Sequence, residues 1–395
     1  MRISSSIDRL RNARCAWIWP VLVLVVATAA VDFGHRPQPI GIDFHTYLAA
    51  ARVGVDQGWA HVYDQALVAA QQANLVPNER TQPFLSPPPA AWLAVGLVRL
   101  PYAWAYSIWA VATLSLMAGA VAWSATGSWT ARAAAAVFTA APVWVLQADY
   151  LGQAVLLVAA ALVIAWRLAR DHHDIAAGLV LAVILLKPNT AFVVPLAIAA
   201  SGRYRMFATF SIAAAAVTGV VVMTVGAAGL ETYINQLQHP PPGTDAVTLE
   251  AALGVSGLFA VGLRIALLAA VLWAAWRSRA STGQVIALGV VGSLLTTPYL
   301  HVCDLCLLVS AGWMVWVDRP TAPWRAPLLA SWLAASPFVD LNVWRPTQDR
   351  WPLLELAWLV ALVAAPLAIR SVLTRRDRPI GGPDSETDDR QKLHL

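Results

Sequence analysis

Apolar runs of roughly bilayer length recur from one end of this chain to the other, with only short polar joints between most of them. They lie near residues 16–33, 84–100, 102–122, 132–148, 153–169, 175–187, 190–201, 207–227, 251–276, 284–299, 301–317, 324–340 and 353–372. A bilayer takes about 20 apolar residues of helix per crossing, and hydrocarbon offers no partner to an open backbone, so such runs span as helices. The 395 residues are 58% hydrophobic and only 12% charged, with a mean hydropathy of +0.60. The expected fold class is therefore an all-α polytopic membrane protein, not a set of soluble domains.

Arginine clusters mark the joints at 2–14, 167–170, 203–205, 277–279, 319–325 and 375–378. The positive-inside rule puts these joints in the cytoplasm. The segments 34–83, 149–153, 187–190, 229–250, 297–301 and 341–351 then fall on the extracytoplasmic side. Thirteen crossings cannot return both arginine-rich ends to one side. The 84–100 run opens with Pro87-Pro88-Pro89, so it is assigned to a dip or an interfacial position. About 12 crossings remain, with a large first extracytoplasmic loop. Residues 1–373 form one transmembrane domain in this reading, and the polar tail 374–395 is a disordered cytoplasmic extension. Ala16–Val31 follows three arginines like a secretory signal, but the many later spans favour an uncleaved first helix.

The net charge of +5 is spent on topology and does not point to nucleic acid. Cys15, Cys303 and Cys306 make no disulfide framework. No nucleotide-binding glycine pattern is present, as suits an enzyme supplied from outside the cytosol.

Against this apolar background the polar residues at outer ends stand out. Asp43, in Gly41-Ile42-Asp43-Phe44-His45-Thr46-Tyr47, follows the first span. An interfacial cap is the plain explanation; a carboxylate base facing water is the functional one, favoured by the aromatic and proline-rich segments that follow. Those segments, Gly58–Asp64 and Pro83–Ala90, are expected to wall a sugar-stacking, water-accessible cavity. Gln153, after Gly152, offers a donor and an acceptor suited to a sugar hydroxyl, though a turn glycine with a polar cap explains it equally well alone. Lys187 lies between two apolar segments on the less basic side and needs an anionic partner, for which a lipid-linked phosphate is the candidate; snorkelling is the alternative.

Pro298 breaks a helix, and His301 and Asp304 then follow three residues apart, on one face of the next. Cys303 and Cys306 beside them suggest a metal site only weakly, since thiolate zinc sites carry two separated ligand pairs; small apolar packing accounts for them better. Arg345 and Arg350, with Asp340, Asn342 and Asp349, complete the outer set, either as phosphate forks or as a solvated ion-pair cluster.

Taken in order, Asp43–Ala50, Val62-Tyr63, Phe84–Pro89, Leu100-Pro101-Tyr102, Gly152-Gln153, Leu186-Lys187-Pro188, Pro298-Tyr299 and Asp304-Leu305 resemble the polyprenyl-phosphate-dependent mannosyltransferases of glycosyltransferase family 87, in the GT-C superfamily. Two departures stand out: Leu85-Ser86-Pro87-Pro88 replaces the usual tyrosine-proline-proline, and Cys303 replaces the tyrosine often found before the late aspartate. The resemblance implies a GT-C-type bundle in the plasma (inner) membrane with its site facing out. It implies inverting transfer of mannose, with an alpha-1,2 linkage, from a polyprenyl-phosphate-linked donor to a glycolipid or lipoglycan acceptor. Asp43 matches the family's catalytic aspartate. His45, Tyr47, Gln153, Lys187, His301, Asp304, Arg345 and Arg350 are the expected substrate-binding residues, and no cofactor or metal is expected. The rival expectation is a transporter or flippase for a lipid-linked sugar. A transporter would hold its polar groups near the midplane in two related halves, whereas here they gather at outer ends and no second half echoes the first.

Overall fold

Helix is the predominant form among the described residues, as a chain rich in alanine, leucine and valine with few polar joints requires. The computed structural model describes residue 27 and residues 40–77, 79–238, 247–318, 322–335 and 351–376. Among these residues there is no strand. The expected first span apart from residue 27, Arg345, Arg350 and residues 377–395 lie outside them.

The helices in chain order are α1 (Ile42–Asp56), α2 (Gln65–Leu75), α3 (Pro88–Ala94), α4 (Tyr102–Ser124), α5 (Trp129–Ala140), α6 (Val143–Leu151), α7 (Val155–Arg170) and α8 (Asp174–Leu181). They continue with α9 (Val193–Ala200), α10 (Tyr204–Gln238), α11 (Leu249–Leu253), α12 (Gly257–Arg277), α13 (Thr282–Thr296), α14 (Cys306–Val317), α15 (Ala322–Ala334) and α16 (Trp351–Arg376). Short 3-10 turns prolong several of them, notably Ala182–Leu186 after α8 and Val302–Leu305 before α14.

Among the described residues, α4, α10 and α12 are long and apolar enough to cross a membrane by themselves. The α5–α6 pair would make a fourth crossing if counted as one span. Helix length among the described residues thus supports three or four crossings by itself and does not confirm the expected count of about 12. The expected 132–148 span is instead broken by 72° between α5 and α6. Pro142 is the cause: it has no N–H to give the preceding turn, and its ring excludes the helical path. The 84–100 run forms only a short helix and turn, Pro88–Leu97, too short to reach across hydrocarbon at about 1.5 Å per residue. The 190–201 run keeps only the eight residues of α9 as α-helix, and α16 runs to Arg376, slightly past the expected start of the disordered tail.

The segment expected to form the first extracytoplasmic loop is not an open loop. From residue 40 it folds into α1 and α2, and α1 is buried along most of its length. Two of the aromatic residues expected to line a cavity are packed inside: Tyr63 stacks on Phe84 and on Tyr233 of α10, and Phe84 is fully buried. Alternating ring contacts exclude water here because each face meets another ring.

At the centre stand α7 and α13, and α13 is buried on all sides, as an apolar helix without a polar stripe must be. Small residues let the backbones close up: a Cβ at Gly289 would lie 2.5 Å from the Cα of Val194 on α9. The outer helices reverse the soluble pattern. Trp104 and Val111 on α4, Ile212 and Met223 on α10, and Leu258 on α12 all project outward, as lipid-facing side chains do. The molecule is a membrane protein.

Candidate active site

Three aromatic residues on one face of α4 hold the site together. Tyr102, Tyr106 and Trp109 follow one another at helical spacing and reach two backbone segments that meet nowhere near them in sequence. The Tyr102 hydroxyl donates to the carbonyls of Ile40 and Gly41, both at 2.8 Å. The Tyr106 hydroxyl donates to those of Asp149 (3.1 Å) and Tyr150 (3.2 Å), and Trp109 Nε1 donates to Gly152 at 2.9 Å. Gly41 N–H also donates to Tyr150 O at 2.8 Å, which ties the start of α1 directly to the end of α6. The periodic aromatics were visible in the sequence, but nothing there said which segments they would clamp.

Two glycines allow this approach. Gly152 ends α6 in the left-handed region, with φ +70°, and an added Cβ would stand 2.5 Å from that of Phe44. Gly41 starts α1 with φ +81°, and its Cβ would fall 2.3 Å from the Tyr106 ring. Gly152→Ala is therefore expected to cost about 1–2 kcal/mol for the backbone conformation alone, and more for the displaced Phe44. A thermal melt together with a turnover measurement checks this; wild-type values for both would show that the α1–α6 approach tolerates a side chain.

The clamp sets Asp43, in the first turn of α1, opposite Gln153. Gln153 Nε2 donates to Asp43 Oδ2 at 2.6 Å, while its Oε1 accepts from Tyr47 (3.2 Å) and from Lys187 Nζ (2.9 Å). Lys187 Nζ also lies 2.5 Å from Asp304 Oδ1. Asp304 Oδ2 in turn accepts the backbone N–H of His301 at 3.0 Å, and His301 Nε2 meets the Tyr299 hydroxyl at 2.8 Å. Asn189 donates to the Tyr299 carbonyl at 3.1 Å and fixes that segment to the lysine turn. A continuous polar chain thus joins four separate parts of the sequence: Asp43 and Tyr47, Gln153, Lys187, and Tyr299 to Asp304.

Only one oxygen of the Asp43 carboxylate is committed to this chain; Oδ1 has no hydrogen bond among the described residues. The residue is half-buried. Burial raises its pKa above the ordinary 3.8, and Lys187, the Gln153 hydrogen bond and His301 pull it back. Burial and then Lys187 push His301 below its ordinary value, so its imidazole is biased to the neutral form.

Three expectations need correction. Lys187 does not await an external phosphate, because Asp304, fully buried beside it, already neutralises it. His45 does not face the Asp43 cluster: it is 1% exposed, its Nε2 meets the Gln72 carbonyl at 2.9 Å, and its ring packs edge-on against Tyr102. It ties α2 to α1. His301 and Asp304 do not act as two side chains on one helical face, since His301 begins a 3-10 turn and its backbone N–H is received by the Asp304 side chain. Cys303 and Cys306 are free and buried. Arg345 and Arg350 fall outside the described residues.

The model of glycosyltransferase family 87 matches residues 84–298, more than half of the chain. The chain belongs to glycosyltransferase family 87. Neither curated proteins nor solved structures give a match. The matched range of this glycosyltransferase takes in Gln153 and Lys187. Asp43 lies before it and Tyr299 to Asp304 just beyond it, joined to the matched part by the hydrogen bonds described above.

Proposed function

We propose that this glycosyltransferase moves mannose from a polyprenyl-phosphate donor to a hydroxyl of a glycolipid or lipoglycan on the extracytoplasmic face of the plasma membrane, with inversion and in an alpha-1,2 linkage. The observation that carries the reading is the Asp43 carboxylate, with Oδ2 fixed by Gln153 and Oδ1 without a hydrogen bond among the described residues. A base held at one oxygen keeps its orientation while the other takes a proton.

In this mechanism the acceptor hydroxyl attacks the anomeric carbon as its proton passes to Asp43. The bond between that carbon and the phosphate oxygen breaks, and the polyprenyl phosphate leaves with the electron pair. A phosphate leaves readily, so no strong general acid is needed; the Tyr299–His301 pair offers hydrogen-bonding groups beside the reacting centre. Lys187 acts through Gln153 and Asp304 as a positioning residue and as a nearby positive charge that favours the ionised base. Membership of a glycosyltransferase family does not favour the flippase reading.

The direct test is transfer by the purified protein in nanodiscs, supplied with polyprenyl-phosphate mannose or other polyprenyl-phosphate sugars and glycolipid acceptors. The product is expected to have inverted anomeric configuration; a retained configuration, or no transfer from any such donor, would sink the proposal. The pH profile adds a second check. Because the folded pKa of Asp43 is raised, the base takes up its proton at a higher pH than a free aspartate would. Turnover should therefore fall on acidification with a limb above 3.8. A rate that stays flat down to that value would exclude Asp43 as the titrating base.

A further inference from the structure

Beside the Tyr299–His301 segment lies a cavity of about 400 Å³ that the transfer mechanism above leaves unused. Its wall includes Thr248, Glu250, Ser256, Ala260, Arg264 and Pro298, the last of which immediately precedes Tyr299. Pockets of about 300–1,000 Å³ are the usual size for small-molecule sites. Across this one, the Arg264 guanidinium meets both carboxylate oxygens of Glu250, through Nε and Nη2. The pair is partly open, with 31% of the arginine side chain and 17% of the glutamate side chain exposed.

The chemistry of this pair decides what it suits. A guanidinium carries five N–H donors and a carboxylate about four acceptor positions, so a two-point contact leaves both with unused capacity. Sugar hydroxyls donate and accept at once, and so match such a mixed surface. A phosphate would be drawn to Arg264 but would meet Glu250 in direct contact with it, and the pair has no net charge to offer an anion. The surroundings add a second requirement. Leu258, Phe259, Val261 and Ile265 at the same end of α12 are exposed by 47% or more, an apolar surface adjoining the polar cavity. Such a border accommodates an amphiphile with a hydroxylated head and a hydrocarbon tail.

We propose that the Glu250–Arg264 cavity is the docking site for the uncharged sugar head of the membrane-anchored acceptor, whose chain lies along the outer end of α12. The inference rests on the proposed transfer reaction only for the word acceptor; the site itself is a glycolipid-head site.

The probes are octyl α-mannoside, octyl phosphate and free mannose, titrated into the full-length protein in nanodiscs. Octyl mannoside is expected to bind more tightly than either of the others. The uncharged double variant Glu250→Gln/Arg264→Gln, which leaves no charge unpaired, should weaken its binding at least tenfold. Ala251→Trp, which adds bulk at the cavity wall and keeps both charged residues, should do the same. Equal affinity in both variants, or tighter binding of octyl phosphate, would overturn the proposal. Asp43→Asn separates the two readings: it should leave octyl mannoside binding intact, so normal transfer in that variant sinks the proposed reaction alone, whereas normal binding in the cavity variants sinks the docking site alone.

Discussion

Asp43→Asn is expected to lower the rate of sugar transfer about 10²–10⁴-fold, the usual contribution of a positioned base. The substitution is suited to the test because asparagine keeps an oxygen for the 2.6 Å hydrogen bond from Gln153 and removes only the basicity. Fold and membrane insertion should survive, since the backbone here is held by Tyr102, Tyr106 and the Gly41–Tyr150 hydrogen bond, none of which uses the carboxylate. The loss should appear in kcat, with a smaller change in donor KM. Turnover within a few-fold of wild type, in protein whose melting is unchanged, would remove the base from the mechanism.

The buried ion pair gives the second large effect, and it is one of stability. Asp304 is fully buried and Lys187 nearly so. Removing one partner from such a pair strands a charge and typically costs about 3–5 kcal/mol, whereas replacing both by apolar groups of similar size is close to neutral. Lys187→Met and Asp304→Leu should therefore each lower the melting temperature sharply, and the double variant should recover most of the loss. Additive losses in the double variant would show that the two residues do not act as a pair. The recovered double variant also separates folding from chemistry. It lacks the positive charge that favours ionised Asp43, so its acid limb should lie at higher pH than that of the wild type. An unmoved limb would leave Lys187 with a structural task only.

These effects also mark how far the sequence could be read. Asp43, Gln153, Lys187, His301 and Asp304 were each recognisable because a polar residue at the end of an apolar run is costly and therefore rarely idle. What a single lysine at such a position could not reveal was its partner. An external phosphate and Asp304, more than a hundred residues away, satisfy the same electrostatic requirement, and only the packing of the Lys187 turn against the Tyr299–Asp304 segment chose between them. His45 was misjudged for a related reason. Its place two residues after Asp43 suggested a shared site, yet successive positions on a helix point in different directions, and His45 turns to the Gln72 carbonyl.

The fold divides in the same way. Hydrophobicity alone established an all-helical membrane protein, because hydrocarbon tolerates no unpaired backbone and lipid contact demands apolar side chains. It did not establish where helices break, since Pro142 interrupts an apolar run that continues on both sides of it. Nor did it reveal that the segment after residue 40 is a buried helix instead of an open loop, or that the aromatic residues of α4 draw the starts and ends of distant helices together. Those depend on contacts between elements far apart in the chain, which local periodicity does not encode; the tertiary structure supplied them, and with them the position of the carboxylate.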